Sequence, residues 1–230
     1  MLLFMFLWQA FCCMCVEPLW MVCHSQLLHY FPSMQDMTQS RQAYVVKNVS
    51  KSIVLAFLTP PAFWVMNRIL WYQTWETDLI TCMGSIYAAS DIVAFFRMFR
   101  KLPQSTKIHH ACVCVFAFIN AVIHYGESTS IWKQTAMLAI ASAPTLMVNT
   151  FLGARHLSEI SDAEKRRLAK ASFGVYAICL TWSMAWQAIV MYRQVEWRWW
   201  DTGYVVAVVL IYYDDWVLSR YLYRYYTKIQ

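Results

Sequence analysis

The sequence contains little charge and few residues that end regular segments. Only 14% of its 230 residues are Asp, Glu, Lys or Arg, whereas soluble domains average about 25%. It has five glycines and six prolines. The low charge excludes a soluble globular surface and intrinsic disorder, and the few glycines exclude collagen. So few turn residues also argue against a barrel of many turn-linked strands.

Apolar residues make up 60% of the chain and occur in long runs. Runs of about 20 residues have the length of a membrane-spanning helix. The pattern therefore predicts an all-α polytopic membrane protein with seven transmembrane helices. The predicted spans are Met1–Cys23, Val45–Trp71, Thr77–Phe99, Ile108–Tyr125, Ile131–Leu152, Ser172–Tyr192 and Thr202–Tyr223. We expect the second span to be the least regular, because Pro60 and Pro61 remove two backbone donors and should kink or split it.

The basic residues predict an orientation for these spans. If the seven helices alternate, fifteen of the 19 Lys and Arg residues fall on one side, including Lys47, Lys51 and Lys228, and four on the other. The positive-inside rule then places the N-terminus outside or in a lumen and the C-terminus in the cytoplasm. Topology accounts for the net charge of +6, so a nucleic-acid partner is not expected.

The first span and the cysteines suggest structural roles. The first span lacks a basic n-region and an A-x-A-like cleavage site, so we expect it to be retained as a helix. The eight cysteines lie almost entirely within spans, and they do not form the paired C-x-x-C units of a zinc site. They are expected to be small packing residues. We predict no metal, because the neighbouring histidines of the chain would point about 100° apart on a helix.

Polar residues inside the spans are the candidates for chemistry, since each is costly in a membrane. Gly84, Tyr87 and Asp91 share one stripe of the third span. Asp91 lies about 12 Å from the cytoplasmic end of that helix, at 1.5 Å per residue. A lone carboxylate at this depth needs a partner or a proton, and its replacement by leucine should be neutral or stabilising. The alternative is that Asp91 pairs with a basic residue.

Two further clusters fall at a similar depth. His109 and His110 open the fourth span, with Asn120 and His124 on nearly the same face as His109, and Asp214 and Asp215 lie in the seventh span. Their common depth predicts a single polar site with Asp91. The alternatives are that the histidines are interfacial and that the Asp pair forms a structural network with Tyr212 and Tyr213.

These segments resemble the signature of the TLC-domain family. The resemblance rests on GSIYAASD, ending at Asp91, followed by a short loop and His109-His110. Weaker elements are Asn48-Val49-Ser50, Ser142-Ala-Pro144 and Trp216. The family includes ceramide synthases and translocation-associated membrane proteins. This chain lacks the second His-Asp pair of ceramide synthases and is more similar to the short TLC-domain-containing proteins.

The resemblance implies a fold and two candidate functions. Residues 41–226 would form a six-helix bundle around a central cavity, preceded by a helix and loop at 1–40 and followed by a cytoplasmic tail at 227–230. The first function is binding of membrane lipids with an influence on lipid composition, in the endoplasmic reticulum. The second is acyl transfer from acyl-CoA, as co-substrate and not as resident cofactor, to a sphingoid base. His109, His110, Asp91 and Asp214 are the candidate catalytic residues.

Overall fold

The computed structural model describes residues 2–194 and 197–227. Met1, Val195, Glu196 and residues 228–230 of the predicted tail lie outside the described residues. The helices are α1 (Leu2–Tyr30), α2 (Gln39–Tyr72), α3 (Thr77–Met98), α4 (Gln104–Val122), α5 (Thr135–Ser142), α6 (Leu146–Ala154), α7 (Asp162–Arg193) and α8 (Asp201–Thr227). Short 3₁₀ helices lie at Pro32–Met34, Phe99–Lys101, Ile131–Gln134 and Ala143–Thr145. The described part of the chain contains no strand, which confirms the all-α prediction.

Within the part of the chain that the structure describes, seven segments are long enough to cross a membrane. Six of them, within residues 3–154 and 162–193, also meet the apolar composition expected of a span. The fifth is composite and runs from Ile131 to Ala154 through α5 and α6. The seventh is α8, whose 27 residues extend about 40 Å, more than the roughly 30 Å hydrocarbon core. Its hydropathy is reduced by Asp214 and Asp215 near its centre. The protein is therefore a multi-pass integral membrane protein.

Six of the seven segments form a closed ring. Around the ring, α2 packs on α3, α3 on α4, α4 on α8, α8 on α7, and α7 on α5 and α6, which return to α2. Glycine at position 153 permits the close contact of α6 with α2, since a Cβ there would lie 2.9 Å from Cγ2 of Val49. Small residues are commonly used in this way between membrane helices.

Helix α1 packs outside this ring, against α3, α2 and α4. Its buried face consists of Cys12, Val16, Trp20, Cys23 and Leu27, which are spaced by three or four residues as one helix face requires. Two of the cysteines thus serve as packing residues. All eight cysteines are free thiols.

The irregular segment is the fifth, contrary to the sequence-based prediction. Helix α2 continues without a break through Pro60 and Pro61, whereas Pro144 separates α5 from α6 with a 3₁₀ turn. Hydroxyl groups satisfy carbonyls at this break: Thr59 Oγ1 donates to Ala143 O at 3.1 Å. Neighbouring helices and Ser or Thr side chains generally compensate for proline in membrane helices.

The alternating helices give the ring two distinct ends. We call the end that carries loops 31–38, 99–103 and 155–161 the basic end. We call the end that carries loops 73–76 and 123–130 and residues 197–200 the opposite end. At the basic end, Glu159 accepts from the backbone N–H of Ser33 at 2.7 Å and thereby joins two of the loops.

Candidate functional site

A cavity of about 420 Å³ lies inside the ring. All six ring segments contribute residues to the cavity wall. Among the described residues, none from α1 lines the cavity. On α2 the lining extends from Tyr44 to Val65, about 32 Å of helix at 1.5 Å per residue. A volume of 420 Å³ distributed over that length describes a long, narrow space.

The cavity is charged towards the basic end and apolar beyond it. The Lys, Arg, His and Asp residues of the lining lie in its basic half: Lys47, Lys51, Asp91, His109, His110, Arg155, Asp214 and Asp215. Further along, the walls are formed by residues such as Leu58, Val65, Met83 and Ala136. The polar residues at the far end are hydrogen-bonded within the protein: Tyr125 donates to Asn120 Oδ1 at 2.9 Å, and Thr135 donates to the backbone carbonyl of Trp132 at 2.9 Å. The cavity therefore combines one polar end with a long apolar remainder.

Asp91 is paired with a lysine. Lys51 Nζ lies 2.7 Å from Oδ1 and 2.6 Å from Oδ2 of Asp91, and the Asp91 side chain is fully buried. This contact joins α2 to α3 inside the membrane-spanning region. The sequence required a partner or a proton for Asp91, and the alternative in which the partner is a basic residue is confirmed.

His110 extends this pair into a chain of four side chains. Its Nδ1 lies 3.4 Å from Oδ1 of Asp91, without hydrogen-bond geometry. Its Nε2 lies 3.1 Å from Nζ of Lys47. Lys47 precedes Lys51 by one turn of α2. The carboxylate on the Nδ1 side favours the tautomer with its proton on Nδ1, which leaves the Nε2 lone pair for Lys47.

His109 faces a different carboxylate. Its Nδ1 lies 3.4 Å from Oδ2 of Asp214 on α8, and its ring is nearly perpendicular to that of His110, with centroids 5.7 Å apart. The His109 side chain is 17% exposed, against 3% for His110. Asp214 lies on the Nδ1 side, without hydrogen-bond geometry, so Nε2 is the nitrogen of His109 that remains available to a ligand.

Asp215 completes the site from the same helix as Asp214. It accepts a hydrogen bond from the hydroxyl of Tyr176 on α7 at 2.6 Å. The alternative network with Tyr212 and Tyr213 is not formed: the Tyr212 hydroxyl lies 2.9 Å from that of Ser183, and Tyr213 is exposed.

The structure brings together Asp91, His109, His110 and Asp214, the four residues that the sequence selected. The histidines are not interfacial, because both are largely buried in the cavity wall. Gly84, Tyr87 and Asn120 also line the cavity, as their shared faces with these residues predict. His124 does not, because α4 ends at Val122, and His124 lies 3.8 Å from exposed Glu127.

Sequence reasoning missed three members of the site. Lys47 and Lys51 were counted as charges of the basic loops, although both lie inside the predicted span Val45–Trp71 and four residues apart. Two lysines inside a predicted span, on one helix face, were the signal that could have placed them in the site. Without these two, thirteen of the basic residues still fall on that side, so the asymmetry persists. Tyr176, one of fourteen tyrosines, carried no signal.

Arg155 marks the cavity wall at the basic end. Its guanidinium lies 5.3 Å from the ring centroid of Tyr44 and 5.0 Å from that of Tyr221, and it donates to the Tyr44 hydroxyl at 3.1 Å. Its Nε also donates to Nε2 of His156. Burial, the guanidinium of Arg155 and further cations lower the pKa of His156, which lies beyond the spanning helix, to about 4.

The fold and the cavity define a class: multi-pass α-helical membrane proteins with an internal chamber that is charged at one end. Within the described residues, no three His, Cys, Asp or Glu side chains converge as a metal ion requires. No family model, curated protein or solved structure matches this chain.

Proposed function

We propose that this is a TLC-domain protein that binds a membrane lipid in its cavity and thereby influences membrane lipid composition. The single observation that carries the proposal is the long, narrow cavity with charge at one end only. A lipid with one acyl chain has the same distribution of polarity. The volume also falls within the roughly 300–1,000 Å³ typical of small-molecule sites.

The charged end is expected to decide which lipid binds. A lipid in the bilayer already has its chain in hydrocarbon, so transfer of the chain into an apolar cavity contributes little net free energy. Selectivity then depends on the headgroup and its contacts with charged groups, which are strong where water is excluded.

Cross-linking with a photoactivatable, clickable single-chain lipid tests this proposal. We expect cross-links to peptides of the cavity wall, and a loss of these cross-links in Ala139→Phe, because Ala139 lines the cavity and a phenyl group fills part of it. The matched control is Ala185→Phe, on the exposed face of α7, which should cross-link like the wild type. Cross-links confined to outward-facing residues, or unaffected by Ala139→Phe, contradict the proposal.

The contact of His109 with Asp214 favours a second candidate, acyl-CoA-dependent N-acylation of a lipid amine. The amine nitrogen attacks the thioester carbonyl carbon while His109 Nε2 accepts the amine proton; the C–S bond breaks, and the thiolate leaves and is protonated. Asp214 would fix the imidazole tautomer and stabilise the imidazolium.

Lipid profiles of cells that express His109→Ala test this activity. We expect the variant to lose the change in lipid profile that the wild type causes, while it keeps its thermal stability. His110→Ala should instead lower thermal stability, because it leaves the buried amine of Lys47 without its hydrogen-bond partner. If cells that express His109→Ala have the same lipid profile as cells that express the wild type, His109 is excluded from the function.

The basic end is proposed to face the cytoplasm, with the N-terminus in the lumen of the endoplasmic reticulum. The observation in favour is the excess of lysine and arginine at that end. Epitope tags in loop 155–161 and after Gln230 should bind antibody once the plasma membrane alone is permeabilised, and a tag before Met1 should not. A protected C-terminal tag reverses the orientation.

A further inference from the structure

We propose that Lys47 is a nucleophile that forms an imine with aldehydes carried on a long apolar chain. The inference rests on the proposed function for the placement of the chain in the cavity, and on the surroundings of Lys47 for its chemistry. Lys47 lines the cavity and is only 6% exposed.

The two cavity lysines differ in their partners. Lys51 is held by both oxygens of Asp91 at 2.6 and 2.7 Å, so its ammonium form is stabilised. Lys47 has no carboxylate within 4.0 Å among the described residues, and its partner is the imidazole of His110. Burial and the second cation one turn away favour the neutral amine and are the two conditions that activate lysine nucleophiles, whereas the carboxylate of Asp91, beyond His110, acts in the opposite direction.

His110 supplies a base for the same atom. Its Nε2, 3.1 Å from Lys47 Nζ, can accept the proton that the ammonium must lose before attack. The amine nitrogen then bonds to the aldehyde carbon, and the carbonyl oxygen takes one proton from that nitrogen, which gives a carbinolamine. The imidazolium of His110 returns its proton to this oxygen, which leaves as water, and a protonated C=N bond to Lys47 remains. No oxidant or reductant takes part.

The apolar walls favour an aldehyde with a long chain. Beyond Lys47, the lining of α2 continues through Leu58, Ala62 and Val65 towards the opposite end. A chain lying along these residues would hold the aldehyde carbon near Nζ, and such positioning accelerates reaction between bound groups.

Reductive trapping of the purified, detergent-solubilised wild-type chain tests the inference. The protein is treated with limiting hexadecanal and cyanoborohydride, which reduces an imine to a stable secondary amine, and each lysine is quantified by peptide mass spectrometry. We expect Lys47 to be modified at least about tenfold faster than Lys133, a half-buried lysine at the opposite end. His110→Gln should slow modification of Lys47 by at least about tenfold through loss of the base.

The outcomes separate this inference from the proposed function. Modification of Lys47 no faster than that of Lys133, or preferential modification of Lys51, overturns the inference. Lipid cross-links in the cavity without a Lys47 adduct overturn it alone and leave the proposed function intact. Adducts with propanal but none with hexadecanal overturn the assigned ligand class and count against the proposed function as well. Because the comparison of Lys47 with Lys133 is made on the wild type, its result does not depend on the folding of a variant.

Discussion

Replacement of Asp91 by leucine should destabilise the protein strongly, because it leaves the ammonium of Lys51 buried without its carboxylate. The Lys51 side chain is 11% exposed and that of Asp91 is 0% exposed, so solvent screens the pair very little. Loss of one partner of a buried pair costs about 3–5 kcal/mol. For a chain of this size, that cost corresponds to a fall of roughly 6–20 °C in the apparent Tm.

The double variant Lys51→Met/Asp91→Leu should recover most of this loss. It removes both charges together and replaces them with apolar side chains of similar volume, an exchange that is often neutral or stabilising by about 1–4 kcal/mol. The two single losses should therefore be strongly non-additive, as expected for residues in direct contact.

The chain offers a matched control for burial. Arg97 and Glu17 form a pair with nearly the same separation, 2.7 Å, but with side chains that are 53% and 45% exposed. Arg97→Met should cost less than about 1 kcal/mol, as exposed pairs usually do. Thermal unfolding in detergent is followed with a thiol-reactive dye, which detects the eight free cysteines. If Asp91→Leu is no less stable than Arg97→Met, or if the double variant is as unstable as the sum of the singles, the assignment of a buried pair is refuted.

Two further predictions concern packing and pH. Gly84→Ala should lower the free energy of unfolding by about 1–3 kcal/mol, because its Cβ would lie 2.5 Å from the Asn120 carboxamide. The control Gly174→Ala, whose Cβ would meet no atom within 4 Å, should be neutral or stabilising. Equal unfolding temperatures for the two variants would contradict this reasoning. Thermal stability should fall as the pH decreases from about 6.5 to about 4, since the lowered pKa of His156 means that the unfolded chain binds more protons in this window. His156→Phe, which keeps a ring near Arg155, should show a smaller decrease over that window, and an identical pH profile would exclude His156 as the source.

Much of the candidate site could be predicted from the sequence, because the depth of a residue in the membrane follows from its distance to the end of its own apolar run. An aspartate near the end of one apolar run and a histidine pair near the start of the next lie at the same level when the helices alternate. This reasoning selected Asp91, His109, His110 and Asp214, and all four line one cavity. It failed for His124, because the predicted span continued to Tyr125 whereas α4 ends at Val122.

The sequence by itself determined the number of crossings, their order and their approximate bounds, since a run of apolar residues long enough to span a bilayer depends on no other part of the chain. Only the tertiary structure decided which helix faces meet. The contacting faces pair Asp91 with Lys51, which lies 40 residues earlier in the chain, and Asp215 with Tyr176, which lies 39 residues earlier. The tertiary structure also decided that α2 tolerates two prolines while Pro144 separates α5 from α6. These pairings depend on how each helix is rotated about its axis, and rotation is set by packing against several neighbours at once.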